Sequence, residues 1–134
     1  MHRQITVPKA DVLVHCGDML ATGRLSELVE VKGLRFYGTP WQPWYMDFAF
    51  NLAHDFQLAD RWSLIPDSLD VLITHTPPHG IFDLILQGKN VGCKELRKRL
   101  EKVEFKYHLF GYIHEAGGGR NIAAVRLFTL APAA

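Results

Sequence analysis

The chain has 134 residues, 48% of them hydrophobic and 22% charged, with a formal net charge of +1. That is enough for one domain with its own core, and no charge excess marks a nucleic-acid polymer or an anionic membrane surface as a partner. Two cysteines, Cys16 and Cys93, are too few for a disulfide framework and point to free thiols in a reducing compartment. No apolar run approaches the roughly 20 residues needed to cross a bilayer, and residues 1–10 lack a signal-peptide core. The cytoplasm is the expected location.

In chain order, residues 12–15 read as a short buried strand, followed by a turn at Gly17 and a polar loop opening at Asp18. Residues 24–31, with Leu25, Leu28 and Val29 on one side, suggest a short helix that stops near Gly33. A strand is expected over 33–37. Pro40 and Pro43 argue against regular structure in 38–45, because each lacks a backbone donor. Residues 48–58 read as loop or irregular helix and 60–65 as a second helical stretch. Val71-Leu-Ile-Thr74 is an all-apolar strand ended by Pro77-Pro78 and Gly80. The clearest helical pattern spans 94–103, where Leu96, Leu100 and Val103 face inward and charged residues face water. Strands at 107–110 and 123–130 complete the pattern, with Gly117-Gly-Gly119 turning between them. Alternating strands and helices place the chain in the α/β (α+β layered) class.

Three hydrophobic runs end in a metal-binding side chain: Asp11-Val-Leu-Val-His-Cys-Gly-Asp18, Asp70-Val-Leu-Ile-Thr-His75, and Leu109-Phe-Gly-Tyr-Ile-His114. A carboxylate after a glycine can approach a divalent cation closely, and an imidazole set on a strand end has the rigid platform that ligation needs. Strand ends that bring Asp18, His75 and His114 together would form a metal site. His79 follows Pro77-Pro78 and serves as an acid beside the site, or supports a ligand from behind, or only caps that turn. Trp41, Trp44 and Tyr45 either line a pocket that stacks a base or aryl group, or form a hydrophobic lid or interface. Arg120, after the glycines, is a candidate phosphate contact. His15, Cys16, His108 and Cys93 read as packed or hydrogen-bonded residues.

These motifs resemble the calcineurin-like metallophosphoesterases. The similarity runs through Val12-Leu-Val-His-Cys-Gly-Asp18, Leu34-Arg-Phe-Tyr-Gly-Thr-Pro-Trp41, Phe48-Ala-Phe-Asn-Leu52, Ile73-Thr-His-Thr-Pro-Pro-His-Gly80, Gly92-Cys93 and His108-Leu-Phe-Gly-Tyr-Ile-His-Glu115. It points to a subgroup that looks like broad phosphodiesterases acting on cyclic nucleotides and model phosphodiesters. The resemblance implies a two-sheet β-sandwich flanked by helices. It matches Asp18 to the ligand that bridges two metals, His75 to the isolated histidine, and His114 to the second histidine of the closing motif.

The departures are as specific. The Asp-x-His strand is absent, and Met1-His-Arg-Gln looks like the sequence that would come directly after it. The Gly-Asn-His motif is also absent, since the chain passes from Glu27-Leu-Val-Glu30 almost directly to Gly33. Tyr112 stands where the closing motif has its first histidine, and a phenol with a pKa of about 10 is a poor substitute. The expectation is a single trimmed domain over 1–134, an N-terminally truncated and internally deleted member; a further reading is a truncated product or engineered deletion of a longer enzyme, in which case an upstream Asp-x-His in the gene would make Met1 an internal start. It keeps three family ligands, with His79, Asn51, His54 and Cys16 as candidate replacements for the missing ones.

Three ligands can still hold a divalent ion; Mn²⁺ is favoured, and Mg²⁺, Zn²⁺, Fe or Ni are compatible. The expected activity is metal-dependent hydrolysis of a small phosphodiester. The alternative is a catalytically depleted remnant that acts as a nucleotide-binding or interaction protein. Losing central strands would expose sheet edges, so a homo-oligomer paired through those edges is expected.

Overall fold

Lys32 and Gly33 both have positive φ, at 51° and 77°, and this two-residue turn has the handedness that matches the twist of paired strands. It folds β1 (Glu27–Val31) back on β2 (Leu34–Thr39) as an antiparallel hairpin. The computed structural model describes residues 9, 14, 27–44, 50–53, 56–111 and 124–126. The helix expected over 24–31 is therefore replaced by a strand where the chain is described. Leu28 and Val29 have helical spacing with Leu25, but a tight turn at Lys32 leaves antiparallel pairing as the way to satisfy the backbone of 27–31.

The main sheet has the order β1-β2-β5-β6-β7, with β5 at Val71–Thr74, β6 at Tyr107–Phe110 and β7 at Ala124–Arg126. Strands β2, β5 and β6 are mutually parallel, and β1 and β7 flank them antiparallel. A shorter sheet joins β3 (Gln42–Pro43) to β4 (Asn51–Leu52). The prolines do not exclude regular pairing in 38–45 as expected. Gln42 donates to the Phe50 carbonyl and Trp44 to the Leu52 carbonyl, both at 3.1 Å, so the donor that Pro43 lacks falls between two that are used. The strand expected over 12–15 lies outside the described residues except for Val14.

In-register neighbours share a face of a sheet. Tyr37, Leu72 and His108 form one row and Thr39, Thr74 and Phe110 the next on the same face. Helices α1 (Phe56–Ser63) and α2 (Lys94–Leu100) supply the rest of the core through Leu58, Trp62, Leu96 and Leu100, joined by Ile65, Leu69 and Val103. Helix α2 stops three residues short of the expected 103. Val103 still reaches the core, because a closing turn carries the chain inward, with Lys102 donating to Arg99 and Val103 to Leu100. Cys93 caps α2: its Sγ accepts from the Leu96 amide and from the buried Trp62 indole at 3.2 Å. This mixed sheet with helices packed on it is the α/β class expected from the sequence.

Candidate functional site at the strand ends

The three parallel strands end level with one another. Thr39, Thr74 and Phe110 pair across the sheet, so the chain leaves β2, β5 and β6 at one rim. In open α/β sheets the crevice beyond such carboxyl ends is the usual ligand position. His75 is the first residue past β5 and is 8% exposed. Its carbonyl accepts from the Gly111 amide at 3.1 Å, which holds the ends of β5 and β6 together one residue beyond the paired strands. The two residues flanking His75 are also tied, since the Thr74 hydroxyl donates to the Thr76 carbonyl at 2.7 Å.

From His75 the chain runs through buried Thr76, Pro77 and Pro78 to half-buried His79. The His79 amide donates to the Cys93 carbonyl and the Cys93 amide to the Pro77 carbonyl. The loop that carries His79 is thus fastened to the N-terminus of α2. The rest of that loop is organised by Asp83, a residue that sequence reasoning passed over. Asp83, 1% exposed, accepts from the amides of Gly80 and Gly92, each at 2.9 Å, and from the Asn90 side chain at 2.5 Å. A Cβ on Gly92 would stand 2.7 Å from the Pro78 carbonyl and 2.8 Å from the Asp83 carboxylate, so only glycine fits there. The available signal was one carboxylate inside the apolar stretch Ile81-Phe-Asp-Leu-Ile-Leu86.

At the end of β2, Trp41 packs its edge on Phe50 with centroids 5.5 Å apart, and the Arg61 guanidinium covers its ring at 4.6 Å. Asn51 accepts from the Gln42 side chain at 3.0 Å. Of the other residues singled out in the sequence, Asp18, Tyr112, His114, Arg120, His54 and Cys16 lie outside the described residues. Among the described residues, no three His, Cys, Asp or Glu side chains come together as a metal-binding group. Of the three expected ligands, His75 lies among the described residues, buried directly after β5.

Electrostatics distinguish the buried groups. Burial pushes the His108 imidazole down to about 3, so it is neutral, and burial pushes the Cys93 thiol up, which keeps it protonated. At the opposite end of β5, Asp70 is held below the usual carboxylate range, first by the Arg35 backbone N–H at 2.8 Å and then by the Lys106 ammonium at 2.7 Å.

No protein-family model matches the chain. It is 49% identical over 92 residues to a UPF0046 protein of Caenorhabditis elegans, a stretch covering 68% of this chain and 23% of that protein. It is 45% identical over 92 residues to Metallophosphoesterase domain-containing protein 1 of Homo sapiens, covering 67% of this chain and 28% of that protein. A second UPF0046 protein of Caenorhabditis elegans is 38% identical over 90 residues, covering 67% and 30%. The chain therefore spans less than a third of the length of these relatives.

Proposed function

Because the chain belongs to the metallophosphoesterase family, we propose that it hydrolyses small phosphodiesters with a divalent ion held by Asp18, His75 and His114. The observation that supports this reading is the position of His75, buried at the rim and bonded through its carbonyl to Gly111. Gly111 leads within three residues to His114. When bound, the ion supplies an acidified water and neutralises charge on the phosphoryl oxygens.

The chain's own residues divide the remaining work. His75 presents its imidazole from a strand end whose flanking residues are tied by hydrogen bonds, so little ordering remains to be done on binding. His79, on the loop fastened to α2, is the residue assigned to protonate the leaving oxygen. With the family's Asn-His motif missing, that assistance is weak, so diesters with good leaving groups turn over fastest. Mn²⁺ is the favoured ion, and cyclic nucleotides are the natural substrates to try first. Among the described residues β1 and β7 are the outer strands of the main sheet, and a homo-oligomer would pair through such edges.

The test is a substrate comparison with Mn²⁺ present, using bis-p-nitrophenyl phosphate, p-nitrophenyl phosphate and cyclic nucleotides. Turnover of the activated diester well above the monoester is expected. Turnover of the monoester alone, or of nothing by folded protein, overturns the reading in favour of a monoesterase or a depleted binding protein.

A further inference from the structure

His108 is fully buried in the row with Tyr37 and Leu72, a place where leucine would fill the space without polar atoms. Its ring lies between Phe105 and Phe110, with centroids at 6.0 and 4.8 Å. Its Nε2 is 2.9 Å from the Thr74 hydroxyl. That hydroxyl has one proton, which it donates to the Thr76 carbonyl, so toward His108 it can only accept. The imidazole therefore carries its proton on Nε2 and leaves Nδ1 as a bare lone pair. Nδ1 has no hydrogen-bond partner among the described residues, and a buried acceptor left without a donor is destabilising. A residue kept at such a cost needs a compensating role, and the hydrogen-bond chain shows where it acts. It runs from His108 to Thr74, then across His75 to Thr76, and so brackets the backbone of the imidazole described at the rim.

We infer that His108 and Thr74 are positioning residues for His75, fixing the direction of its imidazole from behind the sheet. The inference rests on the reading of His75 as a metal ligand. It goes beyond that reading by naming two residues that touch neither metal nor substrate. The Thr74 hydroxyl orders the turn around His75, and His108 orders the hydroxyl by donating to its free lone pair. Residues that orient a ligand in this way typically change metal affinity 10- to 100-fold when removed, an order-of-magnitude expectation.

The experiment compares the unsubstituted protein with Thr74→Val, Thr74→Ser, His108→Phe and His108→Gln. Two readouts are taken after thermal melting has established that each variant is folded: Mn²⁺ affinity by calorimetry, and the His75 ring-nitrogen signals in metal-free protein by ¹⁵N NMR. Thr74→Val and His108→Phe are expected to weaken Mn²⁺ binding at least about tenfold and to shift or broaden the His75 signals. Thr74→Ser, which keeps the hydroxyl, and His108→Gln, which keeps an N–H donor, should restore both in large part. Unchanged ring signals in folded Thr74→Val overturn the inference. Should His108→Phe fail to fold, the Thr74 pair decides. Should the unsubstituted protein bind no Mn²⁺, the metal reading of His75 fails, while the ring signals still determine whether Thr74 and His108 position it.

Discussion

The Gly111 amide donates to the His75 carbonyl across 3.1 Å, one residue beyond the last paired row of β5 and β6, Thr74 and Phe110. The two strands thus leave the sheet together. Gly111 is held beside His75, although it lies 36 residues further along the chain.

His108 makes stability depend on pH with a definite sign. The unfolded chain binds a proton at this residue below about pH 6.5, while the folded chain does so only below about 3. Between those values the unfolded state holds more protons, so this residue's contribution falls as pH falls, by about 1.4 kcal/mol per pH unit. His108→Phe should flatten the decline in stability between pH 6 and pH 4. Urea unfolding of both proteins across that range measures it; parallel slopes would contradict it.

Asp83 should be worth more to stability than its loop position suggests. Asp83→Ala leaves the Gly80 and Gly92 amides and the Asn90 side chain without their acceptor; the Gly92 bond is the buried one, and a buried donor left unpaired costs about 1–3 kcal/mol. Gly92→Ala should be comparably damaging through the clash with Pro78. Both variants should release the loop that carries His79, seen as faster amide exchange over residues 80–92. Near-native exchange there would remove the organising role assigned to Asp83.

The Cys93 thiol should resist modification in native protein. It is fully buried, accepts from Trp62 and Leu96, and is held protonated by burial. A disulfide reagent at pH 8 should label it only as the protein unfolds, and Cys93→Ala should lose about 1 kcal/mol through the missing cap. Rapid labelling of folded protein would show the site to be open.

Asp70 contributes with the same sign as His108, from a different cause and at lower pH. Its depressed folded pKa means that its contribution is present above the unfolded value of about 3.9 and is lost as pH falls through the lower folded value. Asp70→Asn should lower stability at neutral pH and flatten the acid limb below about pH 4. An unchanged acid limb would place the acid sensitivity elsewhere.

The parts of the fold legible in the sequence were those whose local pattern and tertiary role agree. Strand β5 is a short, mostly buried hydrophobic run in the sheet centre, β6 beside it buries His108 and Phe110, and α2 presents Leu96 and Leu100 at helical spacing against charged residues. Strand β1 was misread because Leu25, Leu28 and Val29 fit a helix, while the deciding signal was the Lys32-Gly33 turn after them. Pairing around Pro43 was missed because donors on the two neighbouring residues do the work. A histidine ending an apolar run before Pro77-Pro78 does lie directly after β5, buried there. The roles of Asp83 and His108 were not legible, because each depends on contacts between residues whose proximity only the folded chain creates. For Trp41 the sequence leaves a stacking surface and a lid or interface both open, and the Arg61 guanidinium over its ring, from a residue 20 positions away, has no sequence signal.

Metal-dependent hydrolysis is tested most directly with bis-p-nitrophenyl phosphate and chelator-stripped protein, before and after Mn²⁺ is restored, alongside folded Asp18→Ala and His75→Ala. Turnover should disappear on stripping, return with Mn²⁺ and be lost in both variants. Turnover that survives stripping, or that persists undiminished in folded His75→Ala, would show that the assigned metal site does not carry the reaction.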